Sequence, residues 1–173
     1  MFAAPLHHNH ALLALGLACV MAAVVGAALV FEHGFGYVPC ALCLLQREPY
    51  YVGVPFAGLA ALAAWVQWPQ CVTRGALLIV GLLMAYGVLL SAFHAGVEWS
   101  WWTGPDDCAT SSTAGVVTQA DTLLGALDTV KPPSCDEAAG RVLGLSFAGW
   151  NVVASAVFAW AAFRLTAMRG AEV

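Results

Sequence analysis

Four stretches of this chain run for about the length of a membrane crossing without a single charged residue: Ala11 to Phe31, Tyr50 to Trp68, Ala76 to Phe93 and Val142 to Phe163. They hold 21, 19, 18 and 22 residues. A hydrocarbon core takes roughly 20 apolar residues in a helix, because lipid offers no partner to an unpaired backbone N–H or C=O. Each stretch can cross alone. Together they predict an all-α membrane protein, a single domain over 1–173 built as a four-transmembrane-helix bundle with helices at about 11–31, 50–68, 76–93 and 142–163. The first stretch exceeds the 7 to 15 residues usual in a signal-peptide core, and no Lys or Arg precedes it, so it reads as a retained helix. Only 9% of the chain is charged, against roughly 25% in soluble domains. With six Lys and Arg in all, no basic face exists to neutralise a phosphate backbone, which excludes nucleic acid as a partner and leaves the lipid bilayer.

This arrangement puts two loops, about 32–49 and 94–141, on one face, and a short turn with both termini on the other. The Lys and Arg count does not orient it: Arg74, Arg164 and Arg169 lie on the turn side, Arg47, Lys131 and Arg141 on the loop side. The cysteines do. Cys40 and Cys43 fall in the first loop and Cys108 and Cys135 in the second, so four of six share one face. Even numbers of loop cysteines suggest disulfides, which persist in oxidising compartments such as the bacterial periplasm. Cys19, inside the first helix, and Cys71, in the short turn, read as unpaired thiols.

Several residues bear on how the helices pack. Pro55, Ser146, Asn151 and Ser155 are expected to point into the bundle, and Gly53, Gly58, Gly75, Gly81 and Gly87 to let helices approach closely. Within the second loop, Val116, Val117, Ala120, Leu123, Leu124, Leu127 and Val130 recur at helical spacing opposite Gln119, Asp121 and Asp128. That pattern predicts a short helix over Ala114 to Val130, lying in the interface or packed on the bundle top. Ser111, Ser112 and Thr113 can cap it, and Lys131-Pro132-Pro133 can end it. Trp99, Trp101 and Trp102 form an expected interfacial belt.

The spacing Cys40-Ala41-Leu42-Cys43 permits a tight disulfide, and such pairs often hold a thiolate at depressed pKa. A plain structural disulfide fits the spacing as well. Zinc fits poorly, since a structural site takes four ligands and Cys108 and Cys135 stand 27 positions apart, so no metal is expected. If Pro39 to Cys43 opens the second helix, Cys43 and Arg47 are i and i+4 on one face, where the loop meets the membrane. Arg47 then either stabilises a thiolate or anchors the helix at the headgroups, and the pattern alone leaves both open.

The segment Pro39-Cys40-Ala41-Leu42-Cys43-Leu44-Leu45-Gln46-Arg47, following one hydrophobic helix, strongly resembles the signature of the DsbB family of bacterial disulfide bond formation proteins. His94-Ala95-Gly96-Val97-Glu98-Trp99 and Trp102-Thr103-Gly104-Pro105 ahead of Cys108 look like that family's entry into its second periplasmic loop. Ser134-Cys135-Asp136-Glu137, then Gly144 to Asn151, looks like its exit. The resemblance implies a protein-dithiol:quinone oxidoreductase of the bacterial inner membrane, with both loops periplasmic and both termini cytoplasmic. It implies a DsbA-like periplasmic thiol oxidase and the membrane quinone pool as partners, with ubiquinone or menaquinone as the cofactor. Cys108 and Cys135 would form the disulfide that reduced DsbA attacks, Cys108 entering the mixed disulfide. Cys135 would then attack Cys40 and release Cys43 as the thiolate facing quinone, with Arg47 stabilising it and His94 a further ring contact.

Two rival classes share parts of the pattern. Vitamin K epoxide reductase-like enzymes also couple a CxxC to quinone in four helices, but there the CxxC follows the shuttle cysteines, whereas here it follows the first helix. A tetraspanin-like scaffold carries a Cys-Cys-Gly motif in its large loop, absent from this sequence.

Overall fold

The computed structural model describes residues 4–105, 135, 136, 138 and 140–168, with side chains from residue 9 onward. It is mostly helical: α1 (Ala4–Phe35), α2 (Ala41–Leu45), α3 (Glu48–Trp65), α4 (Gln70–Glu98) and, after a small hairpin, α5 (Phe147–Ala167). Among the described residues, three helical segments are long and apolar enough to cross a membrane: Asn9–Phe35, Gln70–Glu98 and Phe147–Ala167. The expected 114–130 helix, its flanking caps and Cys108 lie outside the described residues.

The packing is inverted relative to a soluble bundle. Inside sit small residues such as Ala14, Ala57, Ala60 and Ala162, while Leu89 is 70% and Trp160 is 65% exposed. With lipid outside there is no hydrophobic gain in hiding leucine, so close backbone approach decides what is buried. Glycine serves the same end: a methyl group at Gly81 would lie 2.7 Å from the Phe163 ring, and one at Gly87 would lie 3.2 Å from Ser155 Oγ. Gly53 faces the Met21 and Met84 methyls, but Gly58 and Gly75 have open space beside them and serve no close contact. Ser146 and Ser155 are buried and Asn151 partly so, as expected. Pro55 instead faces outward from α3. Its ring is apolar and suits lipid; what proline costs a helix is a backbone hydrogen bond, and that cost does not depend on which way the ring points.

Helix α1 packs on α3, α3 on α4 and α4 on α5, but α1 and α5 touch much less, leaving a seam between them. Where the helices stop is set by local geometry. Gln67 and Ser100 both take φ of 57°, and the 6→1 bonds Trp68 N–H to Ala63 O and Trp101 N–H to Gly96 O close Schellman ends on α3 and α4. Nothing breaks α4 at Phe93, so it runs on to Glu98 and carries His94 inside the helix rather than at a loop mouth. The last helix begins at Phe147, not near 142. Arg141 pairs with Ser146 and Val142 with Leu145 across a tight Leu143-Gly144 turn, both residues at positive φ, and Ser146 Oγ then caps α5 by accepting from Gly149 N–H at 3.1 Å.

Candidate functional site

The Cys40 and Cys43 pair opens α2, just ahead of α3. Cys40 is the N-cap of α2, and its Sγ accepts the Cys43 backbone N–H at 3.3 Å. The two sulfurs lie 2.7 Å apart. The helix does not continue to Arg47: Gln46 and Arg47 form a turn, and Pro49, buried near the start of α3, has no N–H to carry a helical ladder through. The i, i+4 stacking of Cys43 and Arg47 on a continuous helix is therefore replaced by a break, although both side chains still line one cavity.

Arg47 has an acidic partner that the sequence did not single out. Its Nη1 pairs with Glu32 Oε2 at the end of α1, both side chains largely covered. This ties the cysteine turn to α1 and keeps a guanidinium at the cavity wall.

Behind the cysteines lies a buried polar network. Gln46 Nε2 is 2.6 Å from His94 Nδ1. Gln46 Oε1 accepts from Asn151 Nδ2 at 2.7 Å and faces Ser91 Oγ at 3.1 Å. Asn151 also donates to Ser91 Oγ and accepts from the Tyr50 hydroxyl, which meets Ser155. Because donors occupy the Gln46 oxygen, its amide nitrogen must point at His94 and donate to Nδ1. The neutral ring then carries its proton on Nε2, the nitrogen 3.7 Å from Cys40 Sγ and 3.9 Å from Glu98 Oε1. Cys40, Cys43 and His94 offer three ligand atoms within 4.8 Å of one another, but a ring nitrogen that bears a proton cannot ligate a metal.

These neighbours split the two thiols. The Cys43 thiol donating to Cys40 Sγ, helped by His94 and the Cys43 backbone N–H, outweighs burial and lowers Cys40 from 9.0 to about 4. Cys43 moves the other way: the bond to Cys40, burial and the neighbouring thiolate charge all hold its proton on. Reduced, the pair shares one proton, with the negative charge on Cys40.

Cys135 completes the cluster. It is disulfide-bonded and packs with Cys40, Leu42 and Val97, with Cys43 against them. Its expected partner Cys108 lies outside the described residues. Cys19 and Cys71 are free and exposed, remote in sequence from this cluster.

A cavity of about 660 Å³ opens at the α1–α5 seam. Val24, Val25, Phe31 and Phe147 are among its apolar lining residues, and Cys40, Cys43, Arg47, His94 and Glu98 among its polar ones. A buried dithiol packed against a disulfide, beside apolar helices of membrane length, defines a membrane thiol–disulfide oxidoreductase. The chain belongs to the family described as Disulfide bond formation protein DsbB, which matches residues 10–165. It is similar to disulfide bond formation protein B of Pasteurella multocida (strain Pm70), 29% identical over 133 residues, covering 76% of this chain and 71% of that protein. No solved structure matches it.

The sequence drew attention to the cysteines, Arg47 and His94. It gave no role to Glu32, Gln46, Ser91 or Glu98, although Gln46 and Glu98 lie inside the segments that carry the family likeness. The signal that could have found them is polarity itself: each stands in or beside a nearly uncharged apolar run, where a polar group is costly unless paired.

Proposed function

We propose that this protein reoxidises a DsbA-like periplasmic thiol oxidase and passes the two electrons to a membrane quinone, ubiquinone or menaquinone. The observation that carries this reading is that Cys43 lines, together with Arg47 and apolar side chains of two membrane-length helices, one cavity at their seam. The lining suits a quinone head: the cavity volume falls within the few hundred to about 1,000 Å³ of small-molecule sites, and its lining joins apolar side chains to Cys43, Arg47 and His94.

On this reading α3, whose 18 residues span about 27 Å, is the fourth crossing. Both cysteine-bearing loops then lie in the periplasm and both termini in the cytoplasm of the inner membrane. Reduced DsbA attacks the Cys108–Cys135 disulfide, Cys108 entering the mixed disulfide and Cys135 leaving as a thiolate. Cys135, already packed beside Cys40, attacks that sulfur and expels Cys43 into the cavity. Arg47 offsets the charge that arrives there, and His94 donates its Nε2–H to Cys40 when that sulfur is ionised. A bound quinone supplies a lipid-soluble acceptor for two electrons, strong enough to keep an oxidant such as DsbA oxidised. Hydrophobic walls keep water from the leaving thiolate.

The test is to reconstitute the purified protein with quinone and reduced DsbA and follow quinone absorbance. Steady loss of the oxidised-quinone band as DsbA becomes oxidised supports the reading; DsbA oxidation with an unchanged band refutes it.

A further inference from the structure

Asn151 stands near the start of α5, an apolar helix of membrane length, where an unpaired amide is costly. Its amide is fully engaged. Oδ1 accepts from the Tyr50 hydroxyl at 2.7 Å, and the two hydrogens on Nδ2 go to Gln46 Oε1 and Ser91 Oγ, each at 2.7 Å. Ser91 has one hydroxyl hydrogen, and Gly87 O takes it at 2.7 Å, nearer than Gln46 Oε1 at 3.1 Å. Asn151 is therefore the firm donor to Gln46, and a turned-over Gln46 would bring two NH₂ groups face to face. With its oxygen held, Gln46 donates from Nε2 to His94 Nδ1 at 2.6 Å, and the ring keeps its proton on Nε2, 3.7 Å from Cys40 Sγ. One direction of donation thus runs from α3 and α5, through Gln46 and His94, to the cysteine that caps α2.

We propose that Asn151 is a positioning residue for the thiol chemistry: it fixes the direction of the Gln46 amide and, through it, the ring tautomer that turns an N–H toward Cys40. Its hydrogen bonds go to Tyr50, Gln46 and Ser91 rather than to a cysteine, so its effect reaches Cys40 by way of Gln46. Four other groups bear on the charge at Cys40. Cys43 lies beside it in α2, His94 faces it from α4 with Glu98 Oε1 3.9 Å behind the ring nitrogen, and Arg47 acts on Cys43. Asn151 decides what the ring offers among them. The inference concerns the reduced cysteine pair and stands apart from which acceptor takes the electrons.

The full-length, reduced protein in detergent micelles, carrying ¹⁵N-labelled histidine, reports the tautomer directly, because protonated and unprotonated ring nitrogens resonate far apart. His94→Ala picks out the His94 signals from those of the five histidines. Wild type shows Nε2 protonated and Nδ1 bare, whereas Asn151→Leu shows the proton shared between the two. Thiolate absorbance gives the second arm. In Asn151→Leu the Cys40 midpoint rises by roughly one unit, tenfold in acid constant, the Cys43 thiol remaining its main support. In a Gln46→Leu background the same substitution adds nothing, since its route is already cut, whereas a general loss of packing would add. Asn151→Ala, a better helix former, serves the same comparisons if Asn151→Leu does not fold. Wild type with the ring proton on Nδ1, a folded Asn151 variant with wild-type ring signals and midpoint, or a rise that adds in full to that of Gln46→Leu overturns the proposal.

Discussion

Gln46 Nε2 donates to His94 Nδ1 across 2.6 Å, joining the turn after the cysteine pair to the last turns of α4. The bond leaves the opposite ring nitrogen as an N–H facing Cys40. With the Cys43 thiol as its main support and this N–H as a second, Cys40 should titrate near 4 in the quinone-free, reduced protein, as read by thiolate absorbance. Gln46→Leu frees the ring to turn and His94→Ala removes the N–H, so both raise the midpoint. The sign extends to stability. A pKa lowered from 9.0 means that the contribution of Cys40 to the reduced fold is full above about pH 9 and is lost as pH falls through about 4.

The Arg47–Glu32 pair fastens the cysteine turn to α1. Glu32→Gln removes the charge partner and should lower the stability of the protein by about 1.5–3 kcal/mol, the range for a hydrogen bond to a charged group, measured by thermal unfolding in detergent. Arg47→His keeps the fold but should raise the apparent KM for quinone about tenfold, equivalent to roughly 1.4 kcal/mol. An unchanged KM would remove Arg47 from the quinone site.

The cysteines divide by role. Cys43→Ser should abolish quinone reduction, and Cys108→Ser should block turnover with DsbA while the inner pair still reacts with quinone. Cys19→Ala and Cys71→Ala, both free and exposed in the wild type, should turn over normally. Equal damage from either would break the pairing scheme.

Helix contact through small residues is separately testable. At Gly81 a methyl group would press on three Phe163 ring atoms at 2.7 to 3.0 Å. Gly81→Ala should cost about 1–3 kcal/mol, as overpacking does, read as a lower unfolding temperature with little change in KM.

Much of the architecture was legible because lipid imposes a single rule on the backbone, and an uncharged run of about 20 residues is its direct trace. The ends were less legible. Hydropathy stops at Phe93, but a helix stops only where its geometry does, at the positive φ of Ser100, and those extra residues are what place Glu98 within reach of His94. Val142 reads as the start of a helix by composition, yet Gly144 and its neighbour make a turn. In the site, the cysteines could be read from spacing. The partners of Arg47 and His94 could not, because Glu32 lies 15 residues away in the chain and Gln46 lies 48. Those pairs exist only once the helices have packed.

The central claim is that electrons leaving the Cys40–Cys43 pair go to quinone. A single-turnover mixture of the purified, reduced protein with a stoichiometric short-chain ubiquinone, and no other oxidant, measures this directly. The account predicts about one quinone reduced for each Cys40–Cys43 disulfide formed, since each is a two-electron couple, and none in Cys43→Ser. A disulfide that forms while the quinone stays oxidised, or quinone reduction that persists in Cys43→Ser, would contradict it.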